Sequence, residues 1–278
     1  MRVEYIEIGY RNGAFKPIPN IGITGLSPNY YIENIRNHVP SAKLVIIAHP
    51  SNITKQDLHD LHDLGISLIR LCVNKKDPRT SFELCNYARG LGLTVSLNVT
   101  RASQESEKFL VQIGQEAEHN GAHIFYLADS NGSMLPRKII TLFSLLKEKH
   151  SIDLGFHAHN NLDMAMANSI AALQAGATFI DSSLLGMGKG AGNLKLNMWL
   201  SLINLDTPHT NYNMPAILEQ TDILQNQDFY KTPTHHPIDL ILAFNNLSVE
   251  YQETLESRLH DGIANAFQAA QHLKTKAG

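Results

Sequence analysis

The sequence predicts an α/β protein, a (β/α)8 TIM-type barrel lacking its first strand and extended by a helical C-terminal appendage. Three observations predict it. Short β-branched runs alternate with stretches of helical periodicity, the pattern of repeated βα units around a parallel sheet. The chain has 278 residues, 43% hydrophobic and 18% charged, enough for the roughly 250 residues of such a barrel and a small addition. Residues suited to chemistry fall at the C-terminal ends of several different runs, where barrels place their sites. An open doubly wound sheet is the alternative, and the third observation favours the barrel.

In order, the strand-like runs are Tyr5 to Tyr10, Lys43 to Ala48, Leu68 to Val73, Thr94 to Val99, Ile124 to Ala128, Asp153 to His157 and Thr178 to Ser182. Helical patterns lie between them: Tyr30 to His38, Lys55 to Leu64, Ser81 to Leu91, Glu105 to Asn120, Pro136 to His150 and Leu162 to Ala175. Several carry boundary signals, with Asn52 to Thr54 before the second, Gly90 and Gly92 after the third, Gly121 after the fourth, Pro136 in the first turn of the fifth and Gly176 after the sixth. Leu194 to Ile203 reads as the last barrel helix, so the deficit against eight strands falls at the front, before Met1-Arg2-Val3. Seven strands leave the first and last edges with unpaired backbone groups. From Asp206 the pattern becomes helical without strands, over Pro215 to Gln225, Pro237 to Asn246 and one long helix from Val249 to Thr275, punctuated by Pro208, Pro215, Pro233 and Pro237. We therefore expect a barrel over 1–205 and a helical region over 206–278.

A net charge of −3 gives no long-range attraction for nucleic acid or an anionic membrane. No apolar run approaches a membrane span, and the opening residues enter a strand pattern at once, so a cytoplasmic protein is expected. Cys72 and Cys85 sit among apolar neighbours and read as buried thiols.

Two segments carry the candidate chemistry. Gly155-Phe156-His157-Ala158-His159-Asn160-Asn161 ends a strand-like run with two imidazoles at i and i+2. In a strand that spacing points both to one face, within reach of one metal ion. A lone H-x-H equally fits one ring facing the barrel and the other packed beneath a loop. The second segment runs from Ile180 to Asn193, with Gly186, Gly188, Gly190 and Gly192 close together and Asn193 at a helix start. It matches neither a P-loop nor a dinucleotide fingerprint; a third metal ligand, an oxyanion-binding turn or an ordinary Gly-rich turn all fit it. Glu7 shares a strand face with Tyr5 and Gly9, where a carboxylate must be paired or near a cation. His49 ends its strand and could act as an acid or base in the pocket. Arg70, Asn98, Asp129 and Asp181 are weaker candidates by the same strand-end logic. His235-His236 is most simply part of a rigid turn.

With the two segments together, H-A-H-N-N, then L-x-M-A-x-A-N-S-I, then G-M-G-x-G-A-G-N resembles the metal-dependent 4-hydroxy-2-oxovalerate aldolase family. That family belongs to a barrel group that includes 3-hydroxy-3-methylglutaryl-CoA lyase and isopropylmalate synthase. Tyr5 to Tyr10 resembles the group's second strand, and Leu127 to Pro136 its strand ending in an Asp-Ser/Thr turn; the resemblance runs from about residue 4 to 200. It implies His157 and His159 as metal ligands and Asn193 at or beside the metal. Asn193, Gly190 and Asp129 are then the expected substrate contacts, with His49 and Glu7 as the catalytic candidates. Mn²⁺ is the implied ion, and Mg²⁺, Co²⁺ or Zn²⁺ also suit two imidazoles and an amide oxygen. The implied reaction is retro-aldol cleavage of a 4-hydroxy-2-oxo acid to pyruvate and an aldehyde, or its reverse. The family's first-strand pair of an Arg and a metal-ligating Asp is absent here, coinciding with the strand deficit. A catalytically impaired metal-binding or scaffolding barrel is therefore a second reading, and a condensing synthase or acyl-CoA lyase a third. The resemblance further implies a homo-oligomer and an acylating aldehyde dehydrogenase partner docking on the helical region.

Overall fold

Every strand-like run becomes a strand. The computed structural model describes residues 3–15, 18–207, 212–231 and 235–277. Within them β1 (Tyr5–Arg11), β2 (Lys43–Ala48), β3 (Leu68–Cys72), β4 (Thr94–Val99), β5 (Ile124–Asp129), β6 (Asp153–Ala158) and β7 (Phe179–Ile180) form one parallel sheet in sequence order. Helices Asn29–His38, Lys55–Asp63, Arg79–Gly90, Glu107–His119, Pro136–Lys149, Ala165–Gln174 and Leu196–Asp206 follow the strands in turn. This is the TIM-type barrel of the sequence reading, one strand short of closure. Among the described residues β1 is hydrogen-bonded only to β2 and β7 only to β6. The rings of Tyr5 and Phe179 still meet at 5.9 Å, so the sheet curls until its two edges face each other.

Side-chain alternation sorts the two faces. Ile46, Ile69, Leu97, Phe125 and Phe156 point outward and are fully buried beneath the helices. Each contributes on the order of 1.5–3 kcal/mol by leaving water. Val45, Leu68, Ile124 and Tyr126 point inward and plug the barrel against Tyr5 and Phe179. The helices start where their caps dictate. Thr54 accepts from the Asp57 amide while the Asp57 carboxylate accepts from Thr54, and Ser106 accepts from the amide of Phe109.

Two expectations change. Glu7 was expected to share its face with Gly9, but the β1–β2 register shifts between Glu7 and Tyr10. This bulge brings Tyr10 round to stack on His49, with ring centroids 5.9 Å apart and planes at 9°. Gly9, at φ +146°, tolerates the loop behind it, since a Cβ there would lie 2.0 Å from the Thr24 carbonyl oxygen. The long helix expected from Val249 to Thr275 is broken into a 3₁₀ turn, Val249–Tyr251, and two helices, Gln252–Leu259 and Ile263–Ala277. Gly262, at φ +110°, turns the chain there and lets both helices close on Pro237–Phe244 around Ile241, Leu242, Leu255, Ala266 and Ala270. Pro208, Pro233 and the turn residues Thr232 to Thr234 lie outside the described residues.

One asparagine fastens this helical cluster to the strand-end loops. The Asn246 carboxamide oxygen accepts from Ser103 Oγ, Asn131 Nδ2 and Ser133 Oγ at 2.7, 2.8 and 2.8 Å. Its amide nitrogen donates to the Ser103 carbonyl at 3.0 Å. The helical cluster thus sits over the C-terminal ends of β4 and β5. No helix among the described residues is long and apolar enough to cross a membrane.

Candidate active site

The two imidazoles meet at the top of β6. His157 lies within the strand and His159 one residue beyond it, their ring centroids 5.2 Å apart. An antiparallel bridge joins the backbone of His159 to Asn193, and the amide of Asn160 donates to the Gly192 carbonyl at 2.9 Å. The Gly-rich segment is thereby folded back against the strand end. Gly188 is required there, because a Cβ would lie 2.6–2.8 Å from the Asn193 amide group.

The Asn193 side chain donates through Nδ2 to the Met187 carbonyl at 3.1 Å, while its buried Oδ1 has no partner. A buried acceptor without a donor is costly and calls for a ligand. Burial, followed by the charges of His157 and Lys189, pushes the His159 pKa down to about 3, so the ring is neutral and keeps a free lone pair. His157 is fixed differently. Its Nδ1 lies 3.0 Å from Asp181 Oδ2. Burial alone would raise the Asp181 carboxyl, but Arg70 and the bonds from His157 and Tyr126 outweigh it and hold it well below the ordinary carboxylate range. An ionised carboxylate only accepts, so Nδ1 carries the hydrogen and, in the neutral ring, Nε2 the lone pair. Among the described residues no three His, Cys, Asp or Glu side chains group for a metal. Two imidazoles and one orphaned amide oxygen are what the strand end offers, and they suit a divalent cation with open positions for water or substrate.

The remaining predicted residues separate. Glu7 Oε2 is 2.7 Å from Arg70 Nη1 and is engaged as an ion pair rather than free as a base. The Asp129 carboxylate accepts from the amides of Ser133 and Met134 at 3.2 and 2.9 Å, so it fastens its own loop. Burial nonetheless raises its pKa to about 6. Gly190 is exposed, at φ +57°, beside Asp239. His235 Nε2 meets the Asn160 carbonyl at 2.8 Å. Cys72 and Cys85 are both buried.

His49 does face the mouth, between Tyr10 and Phe15, whose ring centroids are each 5.9 Å away. Burial, then the charge of Lys189, lowers its pKa to about 4. The unfolded chain holds this proton up to about pH 6.5. Between about pH 6.5 and 4 the unfolded state therefore binds a proton that the native state does not, and stability falls as pH drops through that window. His49→Phe is expected to flatten this part of the stability curve in urea unfolding, and an unchanged slope would refute the assignment.

Sequence reasoning ranked Arg70, Asn98 and Asp181 low and did not single out Tyr126. Their only signal was polarity at inward positions of β3, β4 and β5 and just past β7, where an apolar residue would pack. Yet Arg70 Nη2 lies 2.6 Å from Asp181 Oδ2, and Tyr126 Oη donates to Asp181 Oδ1 at 2.8 Å.

Comparison with known proteins gives the family and the fold. Residues 74–224 match the HMGL-like family model. A 4-hydroxy-2-oxovalerate aldolase of Spirochaeta aurantia is 30% identical over 246 residues, covering 88% of this chain and 72% of that protein. One of Geobacillus genomosp. 3 is 31% identical over 222 residues, covering 80% and 66%. The chain thus spans about two thirds of the length of these relatives. An N-terminal domain from Bacteroides vulgatus described as an aldolase superposes with a TM-score of 0.79 at 26% identity, covering 95% of this chain and 88% of that one. The carboxyl transferase domain of Rhizobium etli pyruvate carboxylase shares the fold, with a TM-score of 0.71 at 16% identity over 88% of this chain and 45% of that one. On its matched span, its relatives and its strand-end geometry, this chain belongs to the HMGL-like family of carbon–carbon lyases, among relatives named 4-hydroxy-2-oxovalerate aldolase.

Proposed function

We propose that this protein is a divalent-metal-dependent aldolase that cleaves a 4-hydroxy-2-oxo acid to pyruvate and an aldehyde, or condenses them. The partnerless Oδ1 of Asn193, whose backbone bridges to His159, together with the paired His157 and His159 rings, carries the reading. His157, His159 and Asn193 would hold the ion, with Mn²⁺ first and Mg²⁺, Co²⁺ or Zn²⁺ as alternatives. Such an ion supplies Lewis-acid polarisation of the 2-oxo group. The chain's own residues supply the rest. His49, neutral at pH 7, can accept the proton of the 4-hydroxyl; its low pKa keeps it unprotonated at the expense of basicity. Tyr10 and Phe15 flank it as the wall against which a departing aldehyde would rest. Lys189, whose charge reaches both His49 and His159, favours an anionic substrate at the mouth. Lys189→Met is expected to raise KM about fivefold with little change in kcat, the scale of a solvent-screened charge pair; a fall confined to kcat would contradict that role.

The test is pyruvate release from 4-hydroxy-2-oxovalerate. Chelator-sensitive release restored by Mn²⁺ is expected, and no release with any of the four ions overturns the aldolase reading. A second reading, a metal-binding barrel without turnover, is favoured by Arg70 being committed to two carboxylates. It predicts metal binding with no pyruvate.

The division into a barrel over 1–205 and a helical region over 206–278 belongs to the same proposal, as do a cytoplasmic location and a homo-oligomer. The helical region, with Leu240, Phe244 and Ile263 exposed, is the surface we assign to an acylating aldehyde dehydrogenase.

A further inference from the structure

Charges alternate across the interior of the barrel. Glu7 on β1 meets Arg70 on β3 at 2.7 Å. Arg70 meets Asp181 at 2.6 Å, just beyond β7. Asp181 Oδ2 in turn accepts from His157 on β6 at 3.0 Å. Tyr126 holds the other carboxylate oxygen, and its ring lies under the guanidinium, 4.3 Å from ring centroid to Cζ. In the amide orientation that satisfies both groups, Asn98 accepts from Arg70 Nε and Nη2 at 2.9 Å each. Tyr126 reaches Asp181 only because position 155 has no side chain, since a Cβ there would lie 2.3 Å from the tyrosine ring. Three donors of this buried cluster, Arg70 Nη2, Tyr126 Oη and His157 Nδ1, therefore converge on the Asp181 carboxylate.

We infer that Arg70 and Asp181 are positioning residues for His157. Arg70 braces Glu7 on β1 against Asp181 just beyond β7, the first and last strands of the sheet among the described residues. The brace delivers Asp181 Oδ2 to His157 Nδ1, fixing the Nδ1–H tautomer and leaving Nε2 as the nitrogen that would face a metal. Asp181, held ionised by Arg70 and Tyr126, keeps acceptor sites on Oδ2, and the imidazole N–H is the group placed to fill one. A brace serving the barrel alone would need no imidazole on the carboxylate. A carboxylate behind a ligating histidine sets its orientation and basicity, and its loss lowers metal affinity about 10–100-fold.

The inference rests on the metal-site part of the proposed function, and two readouts separate them. The first is the Mn²⁺ dissociation constant, from electron paramagnetic resonance of the free ion, in wild type, Asp181→Asn and Arg70→Gln. The second is the ¹⁵N shift of the His157 ring nitrogens without metal. Asn at 181 keeps the shape and an acceptor oxygen. We expect Mn²⁺ binding weakened about 10–100-fold in both variants, and a His157 ring moving from a pure Nδ1–H form to a tautomer mixture. Tyr126→Phe removes one bond to Asp181 and serves if the charge variants do not fold; a smaller loss of affinity with the same drift in tautomer is expected. Mn²⁺ affinity within twofold of wild type together with an unchanged tautomer, whatever the melting temperature, overturns the inference and leaves a structural brace. Wild type that binds no divalent ion yet shows a pure Nδ1–H ring lost in Asp181→Asn overturns the metal-site reading alone.

Discussion

Replacing either His157 or His159 by alanine is expected to eliminate stoichiometric divalent-metal binding and to lower pyruvate release on the order of 10³-fold. The magnitude follows from the several kcal/mol of charge stabilisation a Lewis acid supplies, at about 1.4 kcal/mol per tenfold in rate. The two variants should differ in stability. His157→Ala removes a hydrogen-bond donor from the buried Asp181 carboxylate, whose remaining partners are Arg70 and Tyr126. His159 shares its backbone bridge with Asn193, which alanine retains. The melting temperature should therefore drop more for His157→Ala. Metal content by elemental analysis and coupled pyruvate assays check the first expectation; residual activity within tenfold of wild type for both variants would place the site elsewhere.

The second large effect concerns Gly155, the residue two before His157 on the same strand face. A Cβ at 155 would lie 2.3–2.5 Å from three atoms of the Tyr126 ring. Tyr126 is 5% exposed and bonded to Asp181, so it cannot swing into solvent without abandoning a buried carboxylate. Overpacking of this kind costs about 1–3 kcal/mol or somewhat more. Gly155→Ala should lower the melting temperature by several degrees and Gly155→Val by more. Because the clash is with the ring, Tyr126→Phe should not relieve it, whereas Tyr126→Leu should restore part of the stability in a double-mutant cycle. Equal losses in the single and double variants would mean that backbone freedom, rather than space, explains the glycine.

The fold was legible because each element announces itself locally. Lys43 to Ala48 and Thr94 to Val99 match β2 and β4 residue for residue, since a β-branched run flanked by turn residues needs little tertiary help. The long helix expected after Val249 failed because the periodicity continues across Gly262, and only packing on Pro237–Phe244 turns the chain there. The bulge in β1 was equally hidden, because Gly9 reads as an ordinary strand residue until the Thr24 carbonyl is known to lie against it.

The sequence by itself determined the ligand candidates. An H-x-H pair at a strand end and an Asn closing a Gly-rich turn are local patterns, whose geometry follows from strand periodicity and backbone freedom. Only the tertiary structure decided what surrounds them. Glu7, Arg70, Tyr126, His157 and Asp181 are spread over 175 positions of sequence and belong to five different strands or strand ends. No spacing rule joins them. They meet because a curled parallel sheet turns every second side chain toward one axis, and charges desolvated there are stable only when each finds an opposite partner.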